Sequence, residues 1–226
     1  MCSNFQPIKF TRFEWVNEHF GIDLPNEEWR DDAYPSYPAP FIYKVDGETK
    51  CELANFGLIP HWAINLKNYG NSKYNARSET VAELKTYKSA WKDCRFGLVL
   101  MESFYEPNFE VTGIIDKSIR YRIKRTDSAP QAAACIYERV IDRATGEIIF
   151  TFSMLTVNAT NHPIMKHFHR LEDEKRSIVI LQESDYQNWL DADHEKAREL
   201  LQLAPDNYLE SEAAPKILLR KNPELF

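Results

Sequence analysis

Several features are scarce in this chain of 226 residues. Its four cysteines, Cys2, Cys51, Cys94 and Cys135, stand far apart and form no Cys-x-x-Cys pair, which argues against a zinc or dithiol redox motif. No run approaches the roughly 20 apolar residues of a membrane-spanning helix. The opening MCSNFQPIKF lacks the apolar stretch of a secretory signal. Free thiols in a reducing compartment are therefore expected, in the cytoplasm and at the nucleoid if the source is bacterial. An excess of positive charge is also missing: the net charge is −6, which taken alone disfavours nucleic acid as a partner. There is no repeat, low-complexity tract or linker, so a single domain over residues 1–226 is expected.

What is present is the mixture of an ordinary globular protein, 43% hydrophobic and 27% charged, with 13% aromatics for a core or for stacking on bases. A chain of this length needs no disulfides to hold a core. Charge is unevenly spread. Residues 1–55 hold twice as many acidic as basic side chains. Residues 66–95 are net basic, through Lys67, Lys73, Arg77, Lys85, Lys88, Lys92 and Arg95. That strip reads either as a local phosphate-binding face or as a solvated helix face.

Residues 11–20 read as a short amphipathic helix. YPSYPAP (34–40) reads as a rigid extended loop, since proline lacks the N–H and fixes φ. Phe41 to Val45 and Lys50 to Phe56 flank Asp46-Gly47, a hairpin signal. Ser78 to Lys92 has helical spacing, with Ser78 as a cap. Strands are expected at 96–101, 113–123, 131–137, 148–157 and 177–181 from their β-branched and aromatic content. A helix over 184–203 and a final short strand after Ala204 complete an α+β reading.

Four places carry reactive groups. Cys2 becomes the first residue if Met1 is removed, and then amine and thiol lie on adjacent carbons. An α-amine near pKa 8 and a thiol near 8.5 give useful fractions of both reactive forms near neutrality. Such a pair condenses with an aldehyde to an imine and closes to a thiazolidine, or attacks an acyl group. The plain alternative is a cysteine at a frayed terminus. In Tyr74 to Thr80, Arg77 can fork onto a phosphate and Asn75 can donate to an oxyanion or a sugar hydroxyl; a polar helix entry reads equally well. Glu106, among the aromatics of Phe104-Tyr105-Glu106, is either a proton carrier with a raised pKa or an edge-strand carboxylate in water. In Met165 to Arg170, a histidine can move protons or hold a hydroxyl. His167-x-His169 has no third ligand at suitable spacing, so no metal and no cofactor are expected.

Met1-Cys2, Asn75-Ala76-Arg77-Ser78-Glu79-Thr80, Phe104-Tyr105-Glu106 and His169 ahead of Arg176 occur in one order. Together with Phe56-Gly57-Leu58-Ile59-Pro60-His61-Trp62 and Pro38-Ala39-Pro40, this set resembles the SRAP (SOS-response-associated peptidase) family over residues 1 to about 185. The resemblance implies a compact β-rich α+β domain built on an open barrel of mainly antiparallel strands with flanking helices. It implies a thiazolidine crosslink between Cys2 and the ring-opened sugar of an abasic site in single-stranded DNA, with lyase activity through the same imine and autocatalytic loss of Met1. By position, Asn75 would orient the terminus and the sugar, Glu106 would move protons, and His169, chosen over His167 because Met165-x-x-Phe168-His169 fits better, would hold the sugar hydroxyl. Arg77, Asn4, Pro40, Trp62, Lys88 and Thr156 would contact the DNA. Ser3-Asn4 replaces the family's usual Gly-Arg, and Glu172-Asp173-Glu174-Lys175 is inserted before Arg176. A monomer is the default. Two other readings stand beside this one: a non-covalent reader of modified or single-stranded DNA, and a cysteine peptidase using Cys2.

Overall fold

Asp46 and Gly47 both take positive φ, 52° and 81°. This is the two-residue turn whose twist matches that of paired strands. It joins β2 (Pro38–Val45) to β3 (Glu48–Phe56), the hairpin expected there. In a computed structural model, which describes residues 2–64, 66, 70–112 and 117–216, nine further strands surround this hairpin. They are β1 (Phe5–Pro7), β4 (Asn75–Arg77), β5 (Phe96–Asn108), β6 (Ile119–Arg125), β7 (Gln131–Ile141), β8 (Ile148–Asn158), β9 (Arg176–Ile178), β10 (Ile180–Leu181) and β11 (Leu209–Ala213). Met1 and residues 113–116, where the β6 strand was expected to begin, lie outside the described residues.

Strands β2, β3, β8, β7 and β5 pair in sequence, and β5 pairs with both β7 and β2, so the expected barrel closes into a five-stranded ring. The β3–β8 contact is parallel; the rest of the ring is antiparallel. Alternation along the strands separates two cores. Phe41, Phe56, Val99, Cys135, Phe152 and Met154 fill the lumen. Ile42, Leu98, Leu100, Ile136 and Leu155 face outward, under Val16 and Phe20 of α1 (Phe13–Phe20), Trp91 of α2 (Lys88–Lys92) and Trp189 of α3 (Tyr186–Leu190). Each fully buried ring contributes roughly 1.5–3 kcal/mol. The Trp189 indole N–H donates to the Gly97 carbonyl at 2.8 Å. β5 is the longest strand: past the ring it continues between β1 and β6 and carries Ser103 to Glu106 away from the barrel wall.

Three local expectations are corrected. Pro38, Ala39 and Pro40 open β2 rather than forming a loop. Pairing with β5 starts only at Phe41, so neither proline loses a ladder donor on that side. Residues 78–87 form successive turns, not a helix: Thr80 N donates to Arg77 O, and Glu83 and Leu84 N donate to Thr80 O. Ser78 N donates to Thr156 O and so prolongs the β4 pairing instead of capping a helix. The single helix over 184–203 is two, α3 and α4 (His194–Leu200). Asp193 breaks the run in extended conformation and accepts from Lys196 N at 2.8 Å, the N-cap that starts α4.

Candidate active site

Cys2 is fully buried, which rules out a frayed terminus. It precedes β1, whose Phe5 pairs with Phe104 of β5, so Cys2 lies alongside the far half of β5. The Asn75 side-chain amide donates to the Cys2 carbonyl at 2.6 Å. Asn75 reaches this point because β4 pairs with the middle of β8, Asn75 opposite Met154. The Tyr87 hydroxyl donates to the Asn75 carbonyl at 3.0 Å and holds that residue from behind. The Asn75 Oδ1 is buried and accepts no hydrogen bond from the described residues.

Glu106, 2% exposed, is the inward residue near the end of β5. Burial pushes its carboxyl up to about 7. Burial, with the Glu106 charge beside it, pushes the Cys2 thiol up to about 12, so the thiol is protonated near neutrality rather than partly ionised as its free pKa suggested. His169 sits at φ 66°, a left-handed conformation uncommon for a side chain of its size. Its backbone N–H donates to Pro107 O at 3.0 Å, and its Nδ1 lies 3.5 Å from Glu106 Oε2. Burial holds the imidazole down at about 4, hence neutral. His169 Nε2 stands 3.1 Å from the Arg176 carbonyl, which can only accept. The proton is thereby assigned to Nε2, and the Nδ1 lone pair faces Glu106. His167 lies apart: it is half-exposed and pairs with Glu110 at 2.8 Å.

Cys2, Asn75, Glu106 and His169 thus meet at one end of the barrel. The six expected DNA contacts do not behave alike. Arg77 and Lys88 are exposed, and Trp62, with Lys85 4.5 Å above its ring, is partly exposed. Arg77 is held by Glu174 at 2.6 Å. Pro40 is buried in β2. Thr156, also buried, accepts from Arg176 Nε and donates to Ala76 O. Asn4 is buried too: its Nδ2 donates to Ala33 O and Asp32, and its Oδ1 accepts two N–H groups of Arg120. These three side chains are buried rather than presented to solvent.

Sequence reading missed several supporting residues. Arg120 stacks 3.3 Å above the Tyr105 ring while holding Asn4, a partner 116 positions away, and no local pattern announces it. Arg176, 2% exposed, binds Glu79, Glu174 and Thr156, and so fixes the carbonyl that orients His169. Lys175 donates to the carbonyls of Phe168, His169 and Arg170 and supports the left-handed turn. Tyr74, next to Asn75, borders the same space, its hydroxyl pKa raised by burial and by Cys2 and Glu106. Among the described residues no group of three or more His, Cys, Asp or Glu is placed to hold a metal ion, and no helix is long and apolar enough to cross a membrane.

A closed five-stranded barrel with a buried cysteine near the start of the chain, an amide and a carboxyl–imidazole pair at one end defines the class of fold to which this protein belongs. The family model described as SOS response associated peptidase (SRAP) matches residues 1–216, and the chain belongs to that family. Membership associates it with the response to DNA damage. Among solved structures it is similar to a protein from Bordetella bronchiseptica, with 29% identity, TM-score 0.85, and 95% of this chain and 100% of that one covered. A protein from Bacteroides thetaiotaomicron (18% identity, TM-score 0.78, 94% and 91% covered) and a phage-related protein from Bordetella bronchiseptica (19%, 0.67, 95% and 95%) share the fold. No curated protein matches the chain.

Proposed function

We propose that this protein traps abasic sites in single-stranded DNA through a thiazolidine formed by Cys2 once Met1 has been removed. The observation that carries this reading is the meeting of Cys2, Asn75, Glu106 and His169, drawn from separate strands and a loop, at one buried point. The freed α-amine adds to the C1 aldehyde of the opened sugar and water leaves, giving an imine. The Cys2 sulfur then adds to the imine carbon, its proton passes to nitrogen, and the five-membered ring closes. The balance is one water lost.

Each side chain has a part in these steps. Asn75 holds the Cys2 carbonyl with its Nδ2, while its Oδ1 accepts from the new amine. Glu106, poised at about 7, takes the thiol proton that burial otherwise retains and returns it to nitrogen. Neutral His169, its Nε2–H held by the Arg176 carbonyl, accepts at Nδ1 from protonated Glu106 and so orients the carboxyl that moves protons to and from the sugar oxygens. The imine also permits β-elimination of the 3′ phosphate, a lyase step, and the same carboxyl serves the earlier loss of Met1. Arg77, Lys88 and Trp62 supply phosphate contacts and stacking to the strand.

The test is to incubate the mature protein with single-stranded DNA bearing one abasic site and to run a denaturing gel. A slower, heat-stable band from wild type that vanishes in Cys2→Ala is expected. A Cys2→Ala protein that binds such DNA as tightly as a wild type forming no adduct would establish a non-covalent reader instead.

A further inference from the structure

The barrel has two mouths, and the chemistry above uses one. At the other lies an open cavity of about 650 Å³, bounded by the β2–β3 turn, the start of β5 and the facing ends of β7 and β8. This volume is typical of small-molecule sites, for which barrel mouths are a favoured place. Phe41, Phe56 and Phe152 are fully buried in the lumen between the mouths, so a molecule in this cavity cannot touch Cys2.

The lining supplies three kinds of group. Tyr43, Tyr137 and Phe150 form an aromatic cluster with centroids 5.1 to 6.3 Å apart and ring planes tilted 39° to 56° to one another; Phe150, the least buried of the three, offers its ring to a flat aromatic molecule over the buried edges of the two tyrosines. Arg139, opposite Phe150 in the β7–β8 register, is exposed and has no ion-pair partner among the described residues. Lys50 pairs only with the exposed Glu48, at 3.4 Å, a contact that a bound anion displaces at little cost. Arg95 is already committed to Asp93 and Glu138. The third kind is acceptors. Glu52 takes the Tyr43 hydroxyl on one oxygen at 2.9 Å, and Asp46 stands on the turn at the rim.

We propose that this cavity binds a nucleotide with an amino-bearing base: the base lies against Tyr43, Tyr137 and Phe150, its amine reaches Glu52, and its phosphate meets Arg139 and Lys50. A flat ring, a donor edge and an anion are the three features that the lining complements together, and such a nucleotide combines them. A free mononucleotide and the 5′-phosphorylated end of a DNA strand present the same chemistry. The site is independent of the Cys2 reaction.

The experiment is calorimetric titration of the full chain with dCMP, dTMP and deoxycytidine, together with displacement of dCMP by a short oligonucleotide with and without a 5′-phosphate. Saturable binding of dCMP is expected, weakened about tenfold or more by loss of the phosphate or by Arg139→Gln. Phe150→Ala should weaken it similarly, while Glu52→Leu should erase the preference for dCMP over dTMP. Cys2→Ala should leave all of it unchanged. Arg139 is exposed, so Arg139→Gln tests the ligand without risk to the fold. Displacement by the phosphorylated oligonucleotide alone assigns the strand end as a ligand; its absence alongside dCMP binding assigns the free nucleotide. No saturable binding of either, binding that survives both Arg139→Gln and Phe150→Ala, or binding abolished by Cys2→Ala overturns the proposal.

Discussion

His169 Nδ1 faces Glu106 Oε2 across 3.5 Å, and burial drives their pKa values in opposite directions, the imidazole to about 4 and the carboxyl to about 7. Near neutrality the imidazole therefore stays neutral with its proton on Nε2, and the carboxyl is the group of the pair that titrates. This inverts the usual order of an imidazole and a carboxylate, and in the proposed reaction Glu106 is the group that would give and take protons.

Replacing that group tests its role in the chemistry. Glu106→Gln keeps the shape but cannot accept a proton. The rate of adduct formation should fall by about 10²-fold, the lower end of what a positioned acid–base group contributes. The wild-type rate should rise as pH passes through about 7, whereas the variant's should rise only as the α-amine loses its proton near pH ~8. Quenched time courses on denaturing gels across pH measure both.

The same shift predicts an effect on stability. Because the folded-state pKa of Glu106 is raised, its contribution is full below the ordinary carboxylate range and is lost as pH rises through about 7. His169 has the opposite sense: its pKa is depressed, so its contribution is present above the ordinary imidazole range and lost as pH falls through about 4. Glu106→Gln removes only the first loss. Relative to wild type the variant should gain stability between about pH 5 and pH 8, on the order of 3 kcal/mol, in urea denaturation at the two pH values.

Arg77 is occupied by Glu174 at 2.6 Å. A carboxylate in that position competes with a DNA phosphate for the same guanidinium. Glu174→Gln should strengthen single-stranded DNA binding about threefold to tenfold and steepen its dependence on salt by up to about one unit of slope. Fluorescence anisotropy over a salt series reads both. Unchanged affinity and slope would remove Arg77 from the DNA contacts.

Gly97 has the Ile42 carbonyl oxygen 2.8 Å from where a Cβ would stand, and Cys135 Sγ at 3.2 Å. The obstacle is backbone within the ring itself. Gly97→Ala should therefore destabilise the barrel by about 1–3 kcal/mol, seen as a lower Tm. The lost space, rather than lost flexibility, is the cause.

The hairpin at Asp46-Gly47 and the strands from Phe96 onward were legible because alternation and turn chemistry are local; the barrel was expected only through the family resemblance. Of the helix expected over Ser78–Lys92 only Lys88–Lys92 forms, since the spacing of Val81 and Tyr87 suits a chain of turns packed on the same core equally well. The reactive set was legible only through resemblance. Asn75 meets Cys2 by way of the β4–β8 pairing, a contact between residues 73 positions apart. Asn4, Pro40 and Thr156, expected as DNA contacts, are buried instead, and their burial depends on Arg120, β3 and Arg176, which no window of sequence contains.

Two residues after the reactive cysteine, Asn4 is gripped by Ala33, Asp32 and Arg120. Chain termini are ordinarily the loosest part of a fold. In the proposed reaction the conformational entropy of Cys2 is surrendered during folding, so an encounter with an abasic site would not have to supply it. Loosening the grip through Arg120 would then slow the trapping step while leaving Cys2, Glu106 and His169 themselves intact.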